Sequence, residues 1–189
     1  DLDVSTRWTD AELFGRTPAE PMPNDPSWAG GVVFSDHQRV EAAVDPDALF
    51  AEVTRLGGER GWLVGNWLWS IRGVLDLLFG GVGMRRGRRH PTDLRTGDVV
   101  DFWRVEAVEP GRLLRLRAEM RLPGEAWLEW EITPTATGAR LDQRARFQPR
   151  GLWVRAYWYG VAPFHRFIFR PLARRLAHEA ALTPAVACT

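Results

Sequence analysis

Three consecutive stretches of this chain alternate apolar and polar residues with a period of two, and that pattern restricts the fold more than any other feature. Residues 112–122 place Leu114, Leu116, Ala118, Met120 and Leu122 on one side and Arg115, Arg117, Glu119 and Arg121 on the other. Residues 125–133 set Ala126, Leu128, Trp130 and Ile132 against Glu125, Trp127, Glu129 and Glu131. Residues 139–147 set Ala139, Leu141, Gln143, Ala145 and Phe147 against Arg140, Asp142, Arg144 and Arg146. Successive side chains of a strand point to opposite faces, so each run predicts a strand with one dry face and one wet face. The joints Glu109-Pro110-Gly111, Leu122-Pro123-Gly124 and Thr137-Gly138 are turn signals. Short turns join antiparallel neighbours. On the wet face a mainly acidic strand falls between two mainly basic ones, and cross-strand pairs of opposite charge contribute roughly 0.2–1 kcal/mol each. These charges read as sheet scaffolding, not as a nucleic-acid surface.

The rest of the chain supplies further elements. Strands are predicted over 32–44 and 98–108. Asp45-Pro46-Asp47 gives cap chemistry to a short helix over 45–56, which a glycine pair stops. Residues 61–68 read as strand or loop, and 69–79 as a second short helix ended by Gly80-Gly81. Residues 151–180 form the third helical piece, apolar on almost every side in its early part, and a helix apolar all round is a buried one. Pro163 and Pro171 are expected to kink or segment it. The expected architecture is α+β: a curved antiparallel sheet wrapped around a long C-terminal helix, with two short helices. Residues 1–30, rich in Pro, Asp and turn formers, read as an extended arm or linker, 31–180 as the folded domain and 181–189 as a flexible tail.

Composition removes several chemistries. All 25 basic residues are arginine, so Schiff-base catalysis, a Walker-type lysine and a lysine general base are excluded. A net charge of +1 gives no bulk field for nucleic acid. Cys188 is the only cysteine, which excludes a disulfide framework and a thiolate zinc site and fits a reduced, cytoplasmic setting. His37, His90, His165 and His178 are scattered without metal-ligand spacing, so no metal is expected. No run of about 18 uncharged apolar residues exists to make a transmembrane segment. Gly81-Val82-Gly83 follows a predicted helix rather than a strand and lacks the third glycine of a dinucleotide fingerprint, so no cofactor is expected in this chain.

The order of elements resembles the helix-grip fold of the START and polyketide-cyclase-like (SRPBCC-type) superfamily. Three longer words are more specific: GGVGMRRGRRHPTDLRTGDVVDFWRVE, RLRAEMRLPGEAWLEWE and YWYGVAPFHRFIF. They resemble a bacterial domain family of unknown function, over roughly residues 5–178. That family often follows an NAD(P)-binding domain of the short-chain dehydrogenase or NmrA-like type. The resemblance implies a fold and a possible neighbour, upstream or in trans, rather than a reaction, and the 1–30 arm reads as the linker that would follow such a domain.

A helix-grip sheet and its helix leave an apolar cavity between them, which a hydrophobic or aromatic small molecule would fill. Trp103, Trp130, Gln143, Tyr157, Phe164 and His165 are the candidate lining, each readable also as core packing. Gln143 interrupts an apolar face, and a buried amide needs partners. Asp101 shares strand parity with Val99, Trp103 and Val105, so its carboxylate must be paired, hydrated or raised in pKa. It pairs with a loop arginine or acts as a general acid or base; His165 is the other candidate base, or a satisfied helix histidine. Arg85, Arg86, Arg88 and Arg89 could clamp an anion, dock a partner domain, or form a solvated loop tied to Asp93 and Asp98. At least one of them is expected to turn inward onto Asp93, Asp98 or Asp101, leaving the others outward. Three functions follow: ligand binding, as accessory half of an NAD(P)-dependent oxidoreductase; a cyclase, dehydratase or isomerase using Asp101 or His165; or a non-catalytic association domain.

Overall fold

The computed structural model describes residues 33–67, 69, 73–74, 88–119, 124–149 and 152–182, and within 152–182 the side chains of 159 and 167–182. Arg85, Arg86, the predicted arm and residues 183–189 of the predicted tail lie outside the described residues, as do the side chains of Tyr157, Phe164 and His165; residues 181–182 of that tail continue the terminal helix. Among the described residues six strands form one antiparallel sheet: β1 (Phe34–Ala42), β2 (Val99–Val100), β3 (Trp103–Glu109), β4 (Leu113–Ala118), β5 (Gly124–Thr135) and β6 (Gly138–Pro149). Their spatial order is β1-β6-β5-β4-β3-β2. The first helix, α1 (Pro46–Thr54), and a long C-terminal helix, α2 (Leu152–Leu182), complete the named elements.

The alternating runs become the centre of this sheet. Leu116 of β4 stands opposite Leu128 of β5, which stands opposite Ala145 of β6. The inward residues Leu114, Leu116, Leu128, Trp130, Ile132, Leu141 and Gln143 are all buried. The α2 residues Phe169, Leu172, Ala173, Leu176 and Ala180 recur at helical spacing and are buried in the same core. The helix packs on β1, β6 and α1, and α1 packs on β4, β5 and β6 through Leu49 and Val53. Both helices therefore lie on the apolar face of the sheet, which is the helix-grip layout.

The other face carries the charge ladder. Glu129 accepts from Arg115 at 2.6 Å and from Arg144 at 3.0 Å, and Arg144 also donates to Glu131 at 2.9 Å. Asp142 accepts from Arg39 at 2.8 Å and Arg140 at 2.9 Å, with His37 Nε2 2.7 Å away. Both carboxylates are buried although they point to the wet side, because long arginine stems cover them. Burial alone would raise these carboxyls. Hydrogen bonds from Arg115 and Arg144 to Glu129, and from Arg39 and His37 to Asp142, outweigh it and hold both below the usual range.

Local signals set the ends of α1. Asp45 caps it, accepting from the Asp47 and Ala48 amides at 2.9 and 3.3 Å, with Pro46 in the first turn. Two expectations need revision. Pro163 and Pro171 do not segment the terminal helix, which is continuous over 31 residues. A proline removes one helical hydrogen bond, and here buried Phe169, Leu172 and Leu176 hold the chain on both sides of Pro171. The strand expected over 98–108 is two strands, folded back at Asp101-Phe102 so that Val100 pairs with Trp103. The predicted 69–79 helix is seen at 66–67, 69 and 73–74, so helical structure begins at Asn66; residues 61–65 are loop. Among the described residues no helix is long and apolar enough to cross a membrane.

Candidate functional site

The β2–β3 hairpin turns on two residues, and the first, Asp101, takes φ 56°. Positive φ is uncommon outside glycine, and Asp and Asn tolerate it best. The turn buries the Asp101 side chain against the loop that follows α1. Asp101 Oδ2 accepts from the Trp62 indole N–H at 2.8 Å, and Oδ1 from the Gly58 amide at 3.2 Å. That loop closes through Gly57 and Gly61, whose backbones bond at 2.9 Å. Gly57 has φ 82°, and a Cβ on it would lie 2.6 Å from Val100 Cγ1 and 2.9 Å from Asp101 Oδ2. Glycine is therefore required for the loop to approach the hairpin.

Around this joint five rings gather from three parts of the chain. Trp62 lies 5.2 Å from Trp69, 6.5 Å from Phe102 and 6.1 Å from Trp103, centroid to centroid. Phe102 and Trp103 are 5.0 Å apart, and Trp69 reaches Phe169 of α2 at 6.5 Å. Burial pushes the Asp101 carboxyl above its ordinary value, and the hydrogen bonds from Trp62 and Gly58 offset this only in part. The Trp103 indole N–H is buried without an acceptor.

Gln143 sits away from this joint, beside α2. Its Oε1 accepts from the Trp130 indole at 2.9 Å, and its Nε2 donates to the Phe169 carbonyl at 2.9 Å. The amide thus joins β5 and β6 to the helix, and partners within the protein meet its polar needs. Asp36 and Gln38, on the inward face of β1, are half-buried and joined at 2.5 Å. Sequence reasoning missed them as inward residues, and it missed Trp62. The parity of Phe34 and Val40 was the available signal for the first pair; no local signal marked Trp62.

The two described arginines of the loop divide. Arg88 turns inward, donating from Nη1 to the Leu56 carbonyl at 2.9 Å and from Nη2 to the Thr54 carbonyl. These carbonyls at the end of α1 lack helical partners, and a cation suits the negative end of the helix. Arg89, exposed, binds Asp98 at 3.0 and 3.1 Å and Asp93 at 3.2 Å. The inward arginine was expected to take an aspartate; instead the outward one does, and Arg88 is held by the carbonyls at the end of α1. Among the described residues no cluster of His, Cys, Asp and Glu has the makings of a metal site.

The model of the family described as "Protein of unknown function (DUF2867)" matches residues 28–172. The chain belongs to the DUF2867 family. No curated protein matches this DUF2867 chain in sequence. Among solved structures, a truncated norcoclaurine synthase from Thalictrum flavum is 12% identical, with TM-score 0.50, covering 80% of this chain and 94% of that one. A structural-genomics protein from Chromobacterium violaceum is 13% identical, with TM-score 0.45, covering 78% and 95%. The di-domain ARO/CYC StfQ of the steffimycin biosynthetic pathway is 15% identical, with TM-score 0.46, covering 80% and 53%. The synthase gives this DUF2867 chain its fold class, independently of sequence.

Proposed function

We propose that this DUF2867 chain binds a hydrophobic or aromatic small molecule between the inward face of the sheet and α2, at the end where the five rings gather. One observation carries the reading: Trp62, Trp69, Phe102, Trp103 and Phe169 converge beside the buried carboxyl of Asp101. Apolar aromatic surface with a few polar groups is the chemistry of a small-molecule site. Rings gathered only for stability need no carboxyl among them, and burying one is costly. Trp130 and Gln143 fix the helix at its back.

Native mass spectrometry of the full chain with added naphthalene derivatives tests the reading. One ligand per chain, lost on Trp69→Ala, is the expected result. No adduct at millimolar ligand would overturn it. A second reading, a cyclase, dehydratase or isomerase, is favoured by the raised carboxyl of Asp101, which suits a general acid. The finer role, accessory half of an NAD(P)-dependent oxidoreductase that docks through Arg85 and Arg86, rests on the family resemblance. Co-purification with an NAD(P)-binding partner, weakened by Arg85→Ala with Arg86→Ala, is its test.

A further inference from the structure

We infer that the bound molecule carries a hydrogen-bond acceptor oxygen, a carbonyl or carboxylate, and that the Trp103 indole N–H is its donor. This rests on the binding reading above. Trp103 is only 4% exposed, and its N–H meets no acceptor. The other buried indoles among the described residues are matched: Trp62 with Asp101, Trp69 with the Val64 carbonyl at 3.2 Å and Trp130 with Gln143. Trp103 is the exception, and it lies in the ring cluster.

Asp101, the buried carboxylate of the same hairpin, does not reach the Trp103 indole N–H. Both Asp101 oxygens already accept, one from Trp62 and one from Gly58. A buried donor left without a partner is costly, and a phenylalanine would fill similar space without that cost. A hydrocarbon ligand would leave the donor unmet, and a ligand offering only donors would add another. An acceptor oxygen satisfies it. The same corner holds a second unmatched donor, Arg88 Nε, whose side chain packs toward Gly58 and whose charge reaches Asp101. A cation nearby favours an oxygen bearing partial or full negative charge.

The test uses two near-isosteric probes, 2-acetylnaphthalene and 2-ethylnaphthalene, titrated into the full chain by calorimetry. The readout is the ratio of their affinities in the parent chain and in Trp103→Phe. The variant should lose about 2- to 10-fold more affinity for the ketone than for the hydrocarbon, the worth of one hydrogen bond. An unchanged ratio would overturn the inference while leaving hydrophobic binding intact; binding of neither probe to the parent chain would overturn both. Should Trp103→Phe not fold, the parent chain labelled with 15N-tryptophan decides. One indole N–H resonance should move with the ketone and stay with the hydrocarbon, and identical spectra for the two probes would sink the proposal.

Discussion

Asp101 combines three features that a surface turn residue does not need: a positive φ, a buried carboxyl and an indole partner 39 residues away. Replacing it with alanine leaves the fully buried Trp62 N–H and the Gly58 amide without an acceptor. Stability to urea should fall by about 1–3 kcal/mol. Asp101→Asn keeps one acceptor and removes the titration. The Asp101 carboxyl is raised in the folded state, so its contribution is fully present below the unfolded value and lost as pH rises through the folded one. The parent chain should therefore gain stability relative to Asp101→Asn as pH falls from 7 towards 4. Urea midpoints of the two proteins at both pH values check this, and a constant difference would contradict the burial of the charge.

Elements are tied to one another by a few polar links within an apolar core. Gln143 joins β6 to β5 through Trp130 and to α2 through the Phe169 carbonyl, and all of this is buried. Gln143→Leu conserves the volume roughly but leaves the buried Trp130 N–H without its acceptor, at about 1–3 kcal/mol. A loss of roughly 1–3 kcal/mol in urea unfolding is expected, above that of an exposed arginine such as Arg95→Ala, at about 0.5 or less. Glu52 on α1, and Glu129 and Asp142 on the opposite face of the sheet, are held below their ordinary values by arginine partners, in spite of burial. A lowered carboxyl contributes stability above its unfolded pKa and loses it as pH falls through the folded one. Together with Asp93 and Asp98, lowered by Arg89, these groups outnumber the one raised carboxyl among the described residues, so the chain should lose stability below about pH 4, where carboxylates of the unfolded chain begin to protonate. A denaturation series from pH 6 to pH 2.5 measures it.

For the whole molecule, binding to the folded state alone raises its stability by mass action. At a ligand concentration 100 times the dissociation constant the gain is about 2.7 kcal/mol, and for a chain of this size each kcal/mol moves Tm by about 2–4 °C. A naphthalene ketone should therefore raise Tm by roughly 5–10 °C in the parent chain. The rise should be smaller in Trp103→Phe, as differential scanning calorimetry would record.

The sequence by itself determined the sheet. Alternation, turn residues and the Asp45 cap are local, since strand faces and helix starts depend on neighbours a few residues away. The same locality hid the site. Val99, Asp101, Trp103 and Val105 read as one strand face, and no Gly, Asn or Pro marks the fold-back at Asp101-Phe102. Only the tertiary structure places Gly57 against that hairpin and Trp62 on the carboxyl. The inward turn of Arg88 was likewise invisible, because its partners are backbone carbonyls, which every residue carries. The burial of Glu129 and Asp142 on the wet face depends on arginine stems from neighbouring strands. Whether a buried donor such as the Trp103 indole finds an acceptor is decided by every atom around it, and no stretch of sequence contains that neighbourhood.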